Sequence, residues 1–181
     1  MTTKSNIIKP IDARLKRRVP ARAEDIAAEV TRKLGDSSIA AIYRDKVRSQ
    51  RTRSFQLGRP STNSTVQVQH TLLGIELKVG NRRLLCPDLA TARYLSVFAR
   101  LGCGVIAIPY DITQISWIAD ELESSWHRMM LLTEHLTEGR SGRLRGMVRR
   151  HLLGETRAEI ESLGAGSKFP EFDQAPRRRP R

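Results

Sequence analysis

The spacing of apolar residues predicts two short helices in the first third of the chain. Apolar side chains recur every three to four positions from Ile26 to Leu34, and the run stops at Gly35. A second helix is predicted to begin at Asp36 or Ser37, because both side chains suit an N-cap. The outward face of this second helix is basic and carries Arg44, Lys46, Arg48, Arg51 and Arg53.

In the middle third, apolar and polar residues alternate, and a period of two predicts half-buried strands. This alternation covers residues 66–70 and again residues 75–79. The dipeptide Gly80-Asn81 is a tight-turn signal, so the second strand is expected to form a hairpin with a third strand over residues 82–86.

Helical spacing returns in the last part of the chain and is interrupted once. A helix is predicted over residues 89–101, closed by Gly102, and the short apolar run 105–110 predicts an interior strand. The longest helix is expected to begin near Asp111 or Thr113, and a basic helix follows from about Ser141. The apolar stripe of the longest helix consists of Ile115, Ile118, Ala119, Leu122, Trp126, Met129 and Met130.

The predicted element order, α-α-β-β-β-α-β-α-α, indicates an α+β fold. The segment 82–110 reads as a right-handed strand-helix-strand crossover, an α/β-like unit. We therefore expect one small mixed sheet of about four strands with helices packed on it. The predicted units are a disordered basic arm, an α+β core, a basic C-terminal helix and a disordered Arg/Pro-rich tail. Their bounds are 1–21, 22–138, 139–163 and 164–181.

Positive charge is concentrated at the two ends of this 181-residue chain, whose net charge is +13. Residues 1–60 hold 15 Lys and Arg against 6 acidic residues, and residues 140–181 hold 11 against 5. Residues 61–139 hold 6 against 8. A near-neutral middle between cationic ends is typical of a folded unit with nucleic-acid-binding arms.

The sequence therefore predicts a non-enzymatic nucleic-acid-binding protein, with structured RNA or the ribosome among the candidate partners. Arginine outnumbers lysine 25 to 7, and the planar guanidinium suits bidentate phosphate contacts and base stacking. A membrane surface is the competing polyanion, and an arginine-rich surface without a ligand is the simplest alternative. The predicted contact residues are Arg17, Arg18, Arg48, Arg51, Arg53, Arg145, Arg149 and Arg150.

A cytoplasmic location is the expectation from the apolar pattern. No run approaches the roughly 18 to 20 apolar residues of a membrane helix, and the amino terminus has no apolar signal-peptide stretch.

Cys86 and Cys103 lack the spacing of a zinc site and are too few for a disulfide framework, so both are expected to be buried thiols. The sequence indicates nothing about oligomeric state.

The segment Ile75-Glu76-Leu77-Lys78-Val79 places Glu76 and Lys78 on one face of a predicted strand. It resembles the second half of the motif of the PD-(D/E)xK, restriction-endonuclease-like nucleases. That resemblance implies a metal-dependent nuclease or an inactive relative, with Mg²⁺ as cofactor and Glu76 and Lys78 as catalytic residues. The chain departs from the motif because no carboxylate lies between Asn63 and Gly74, so Glu29 or Asp45 would have to supply a second ligand. An exposed ion pair on a half-buried hairpin, either cross-strand or on the same face of one strand, is the alternative interpretation.

The sequence contains neither the histidine spacing of a zinc site nor a phosphate-binding loop. His127 and His135 lie eight residues apart, without the i, i+4 spacing of a zinc pair, and no glycine-rich phosphate loop precedes a helix. A protein adaptor for an acidic partner is the remaining function class. Trp117 lies beside the apolar stripe of the longest helix, where partial exposure would make it an anchor for a partner.

Overall fold

The first helices form where the apolar spacing predicts them. In the computed structural model, which describes residues 22–58, 60 and 64–166, α1 spans Ala23–Leu34. A 3-10 turn over Gly35–Ser37 leads into α2, which spans Ile39–Ile42 and continues as a π-helical turn over Tyr43–Val47. Ser38 is the N-cap of α2, one residue or two after the predicted position.

Five strands form two small antiparallel sheets, so the α+β fold class is confirmed. In the first sheet, β1 (Thr52–Gln56) pairs with β5 (Val105–Pro109). In the second sheet, β2 (Val66–Thr71), β3 (Gly74–Val79) and β4 (Arg82–Cys86) pair in that order. The tight turn at Gly80 joins β3 to β4 as the sequence predicts.

The expected single mixed sheet is wrong, and so is its crossover. Helix α3 (Leu89–Leu101) follows β4 and precedes β5, but those two strands belong to different sheets. Two buried hydroxyls explain the separation. The N–H of Ala107 in β5 donates to the Tyr43 hydroxyl at 2.8 Å, and the Tyr94 hydroxyl donates to the Ala107 carbonyl at 2.6 Å. These bonds satisfy the backbone groups that a second neighbouring strand would need.

Strand β1 was not predicted from the sequence. Helical structure ends at Val47, and the following chain turns into β1 instead of extending the basic helix as far as Arg53. Phe55 packs against the core from this strand. The strand is five residues long and mostly polar, so its alternation is too short to stand out from the end of a basic helix.

The core is centred on three aromatic rings. The Phe98 ring lies 5.5 Å from that of Tyr43 and 5.0 Å from that of Tyr94, and all three side chains are fully buried. Cys86 and Cys103 are free and buried, as predicted. Burial raises the pKa of the Cys103 thiol to about 12, so this cysteine remains a neutral core residue at physiological pH.

Two long helices complete the structure. Helix α4 (Ile112–Leu136) begins after an Asp111 N-cap, and α5 (Gly142–Leu163) begins after a Ser141 N-cap, so both predicted starts are confirmed. Helix α5 packs against α1 and contributes three side chains to the core, Val148, Leu152 and Ile160. Among the described residues, no helix is both long enough and apolar enough to span a lipid bilayer.

Candidate nucleic-acid interface

A groove of about 560 Å³ lies where α3, α4 and α5 meet. Its lining includes Arg100 from α3, Trp126 from α4, and Arg149, Arg150 and Arg157 from α5. No carboxylate belongs to the described lining. The groove is therefore a concave surface whose lining combines four arginines with one tryptophan.

The spacing of residues along α5 turns a single face toward this groove. Gly146, Arg150, Gly154 and Arg157 recur at intervals of three or four, so they lie in one row along the helix. The apolar residues Val148 and Leu152 lie on the opposite face and are buried. A Cβ added at Gly146 or Gly154 would meet no atom within 4 Å, so the two glycines leave open space in the groove.

The groove arginines are poorly neutralised by the rest of the protein. Arg149 pairs with Glu134 at 2.8 Å, but its Nε is buried without a hydrogen-bond acceptor in the described part of the chain. A buried donor without an acceptor costs about 1–3 kcal/mol. Arg100, Arg150 and Arg157 form no ion pair with any described carboxylate.

Trp126 joins the core to the groove. Its ring is half-buried and packs against the core, which agrees with its predicted place in the apolar stripe of α4. The Arg100 guanidinium carbon lies 5.7 Å from the centroid of this ring, within the range of a cation–π contact. The groove thus holds a stacking surface next to a positive charge.

Three of the predicted contact residues lie in another part of the molecule. The Arg48 Nε donates to the Leu163 carbonyl at 3.0 Å, so this side chain ties the end of α2 to the end of α5. The Arg51 guanidinium lies 5.1 Å from the Tyr110 ring centroid. Arg53 lies on β1, and its Nε is buried without an acceptor among the described residues. Along the α5 axis, the contact at Leu163 is about 20 Å from Arg149.

The remaining predicted contacts divide between the groove and regions outside it. Arg149 and Arg150 line the groove. Arg145 lies one turn earlier on α5, and its Nε donates to the Thr137 hydroxyl at 3.2 Å. Arg17 and Arg18 lie in the predicted basic arm, outside the described residues. The predicted disordered ends also lie outside them, except for residues 164–166.

Sequence reasoning missed Arg100, Arg157 and the role of the two α5 glycines. Arg100 comes from a different helix, so only the packing of α3 against α4 and α5 brings it to the groove. The row Gly146, Arg150, Gly154 and Arg157 was visible in the sequence as a helical repeat without apolar residues. That row is the signal that could have located the groove.

Glu76 and Lys78 lie on one face of β3, as the alternation predicts. Glu76 forms a cross-strand ion pair with Arg83 of β4, but its side chain is buried and not exposed as expected. The Arg83 Nη1 lies 3.6 Å from the Glu76 Oε2. The Thr71 hydroxyl is 3.4 Å from Oε1. Within the described ranges, no three His, Cys, Asp or Glu residues form a group that could hold a metal ion. The nuclease alternative and its Mg²⁺ requirement gain no support here and stay predictions.

The two carboxylates considered as further metal ligands are engaged locally. Glu29 pairs with Arg32 on α1, and Asp45 pairs with Arg44 on the π-helical turn. These ion pairs hold the pKa of both carboxyls below their ordinary values, with the arginine hydrogen bond as the largest cause.

Trp117 lies outside the groove on α4 and is 38% exposed, which meets the condition under which it could serve as an anchor for a partner. Its indole N–H donates to the Gln114 side chain, and the Lys46 ammonium lies 4.9 Å from its ring centroid. The indole N–H of Trp117 therefore has a hydrogen-bond acceptor, and one face of its ring is in contact with a cation.

Comparison of the chain with protein-family models, with curated proteins and with solved structures finds no match.

Proposed function

We propose that this protein binds nucleic acid in the groove between α3, α4 and α5, without acting as an enzyme. One observation carries the proposal: four arginines and Trp126 share one concave lining whose described residues include no carboxylate. The volume of about 560 Å³ lies within the common range for ligand sites, about 300–1,000 Å³. Neither a metal nor a nucleophile is required for this function.

The charge of the groove favours a phosphate backbone over other ligands. Each phosphate neutralised by an arginine releases condensed counterions, which strengthens binding at low salt. Guanidinium groups also form bidentate hydrogen bonds to phosphate oxygens. The remaining positive charge of the chain would steer a polyanion toward the groove.

The indole ring favours unpaired bases over a duplex. A base can stack on Trp126 only when it is free of its own helical stack, as in a single strand, a loop or a bulge. Stacking on an aromatic side chain contributes about 1–3 kcal/mol per base and is tolerant of sequence. We therefore propose single-stranded or locally unpaired RNA or DNA as the ligand, with little sequence preference.

A space-filling variant tests this proposal without changing any charge. We expect the Gly146→Leu/Gly154→Leu double variant to bind a labelled single-stranded oligonucleotide at least about tenfold more weakly, because the leucines occupy the open space along α5. The same variant should be more stable by about 1–2 kcal/mol, since glycine is a poor helix former. Fluorescence anisotropy across a salt series measures the affinity, and urea denaturation measures the stability.

The Gly146→Ala/Gly154→Ala variant is the matched control, because it stabilises the helix similarly while adding little volume. Parallel titrations with single-stranded RNA, duplex RNA and duplex DNA, with Mg²⁺ present and products run on a gel, separate the alternatives. Binding by the leucine variant equal to that of the wild type would refute a ligand in the groove. Mg²⁺-dependent cleavage would favour the nuclease alternative, and no binding near physiological salt would favour an adaptor for an acidic protein.

A further inference from the structure

Strand β2 has a free edge whose hydrogen-bonding groups can be identified. The Gly80 N–H donates to the Thr65 carbonyl at 2.9 Å, which fixes the phase of the β2–β3 ladder. Because bonded and non-bonded positions alternate in an antiparallel pair, Val66, Val68 and His70 direct their backbone groups away from β3. In the described part of the chain, no strand pairs with that edge and no backbone hydrogen bond reaches it.

The other edges of the two sheets are protected, whereas the edge of β2 is not. Strand β4 carries Arg82 and Arg83 and is followed by Pro87, which lacks an N–H. Strand β1 carries Arg53, and the Tyr43 and Tyr94 hydroxyls cover the free side of β5. Residues 66–71 contain no lysine, arginine, carboxylate or proline, and their one-to-one register with β3 includes no bulge. Such unprotected edges are templates for pairing with another strand.

The residue pattern of β2 is compatible with antiparallel pairing to the same strand of a second copy. If a twofold axis passes through Val68, Val66 of one copy lies opposite His70 of the other, and Gln67 lies opposite Gln69. Every outward-facing residue then exchanges its two backbone hydrogen bonds with an outward-facing residue of the second copy. The valines stay on the inner face, and the glutamines stay on the outer face, where side-chain amides can pair with one another.

Charge also favours a second copy at this position. Residues 64–77 contain one charged residue, Glu76, in a chain whose net charge is +13. Two strongly cationic copies therefore meet with least repulsion along this segment. The same register places Leu72, in the β2–β3 turn of each copy, opposite Ser64 of the other. That turn exposes two leucines, Leu72 at 107% and Leu73 at 79%, in a position that normally favours Asn-Gly.

We infer that β2 pairs antiparallel with β2 of a second copy, so that two three-stranded sheets join into one across a twofold axis at Val68. This pairing is inferred from the edge of β2 and not from the proposed nucleic-acid ligand, although Ser64, just before β2, also lines the groove. The dimer places two grooves on one particle and protects an edge that would otherwise favour aggregation.

Charged substitutions at the two outer-face glutamines, Gln67 and Gln69, test the interface and its register. We expect the wild type, freed of nucleic acid, to sediment with twice the mass of the chain at micromolar concentration. The Gln67→Lys/Gln69→Lys variant brings four lysines together across the axis, so its dimerisation should weaken at least about tenfold. The Gln67→Glu/Gln69→Lys variant places opposite charges in contact and should restore the dimer. Analytical ultracentrifugation over a dilution series measures all three.

Hydrogen exchange provides a second measurement that does not require a variant. The amides of Val66, Val68 and His70 should exchange slowly in concentrated protein and faster on dilution, whereas amides of α3 should not change. Circular dichroism checks that each variant keeps the wild-type fold. A monomeric wild type at all concentrations, or a dimer that persists unchanged in the double-lysine variant, would overturn the inference.

Discussion

Reversing two charges on α5 should lower the affinity for a single-stranded oligonucleotide by at least about 100-fold at physiological salt. The variant is Arg150→Glu/Arg157→Glu. Both side chains line the groove, and neither forms an ion pair with a described carboxylate, so their loss breaks no internal salt bridge. Each substitution removes a phosphate contact and adds a repulsive carboxylate, and the slope of log affinity against log salt should fall by about 2. Anisotropy titrations across a salt series measure both quantities.

A control with the same change in net charge separates the groove from the general positive field. Arg32 and Arg44 are exposed and pair with acidic neighbours, Glu29 and Asp45, away from the groove. The Arg32→Glu/Arg44→Glu variant should therefore lose much less affinity than the groove variant. Equal losses in the two variants would mean that the ligand responds to overall charge and that the groove is not its site.

Removal of two buried hydroxyls should have the largest effect on stability. The Tyr43→Phe/Tyr94→Phe variant leaves the Ala107 N–H and carbonyl of β5 without their buried partners. We expect the free energy of unfolding to fall by about 2–5 kcal/mol, since an orphaned buried group costs about 1–3 kcal/mol. Loss of the Tyr43 bond to the Gly164 carbonyl should also loosen the end of α5.

Urea denaturation measures this loss through a lower midpoint with an unchanged slope. The Ser162→Ala variant is the control, because it removes an exposed hydroxyl bonded to the Glu159 carbonyl and should change stability by less than about 0.5 kcal/mol. A double phenylalanine variant as stable as the wild type would show that the edge of β5 does not depend on these bonds.

Much of the fold could be predicted from residue periodicity. The apolar stripe of α4 and the alternation in β2 and β3 extend over enough residues to show their period. Helix ends were also predictable where a cap residue marks them, as at Asp111 and Ser141. These signals are local, so a single sequence contains them.

The sheet arrangement could not be predicted, because it depends on contacts between distant parts of the chain. The hydroxyl of Tyr43 meets the backbone of Ala107 across 64 positions. Neither tyrosine has a sequence feature that distinguishes a strand-capping hydroxyl from an ordinary core ring. A strand, a helix and a second strand in sequence therefore predicted a crossover that the side chains prevent.

The candidate site was predictable only in part, for the same reason. Arg149 and Arg150 belong to a visibly basic helix, so charge alone identified them. Arg100 and Trp126 reach the groove from α3 and α4. The spacing of residues in the sequence does not indicate that these two helices pack together with α5. Arg48 shows the opposite case, because it has the same charge but serves as an internal hydrogen-bond donor.

The most direct test of a nucleic-acid site in the groove is the fluorescence of Trp126 during an oligonucleotide titration. A Trp117→Phe background leaves Trp126 as the sole tryptophan, because the chain contains two. If bases stack on Trp126, its emission should be quenched in a saturable way, with the same midpoint as anisotropy of the labelled oligonucleotide and with reversal by salt. Binding detected by anisotropy without any change in Trp126 emission would contradict the proposed site.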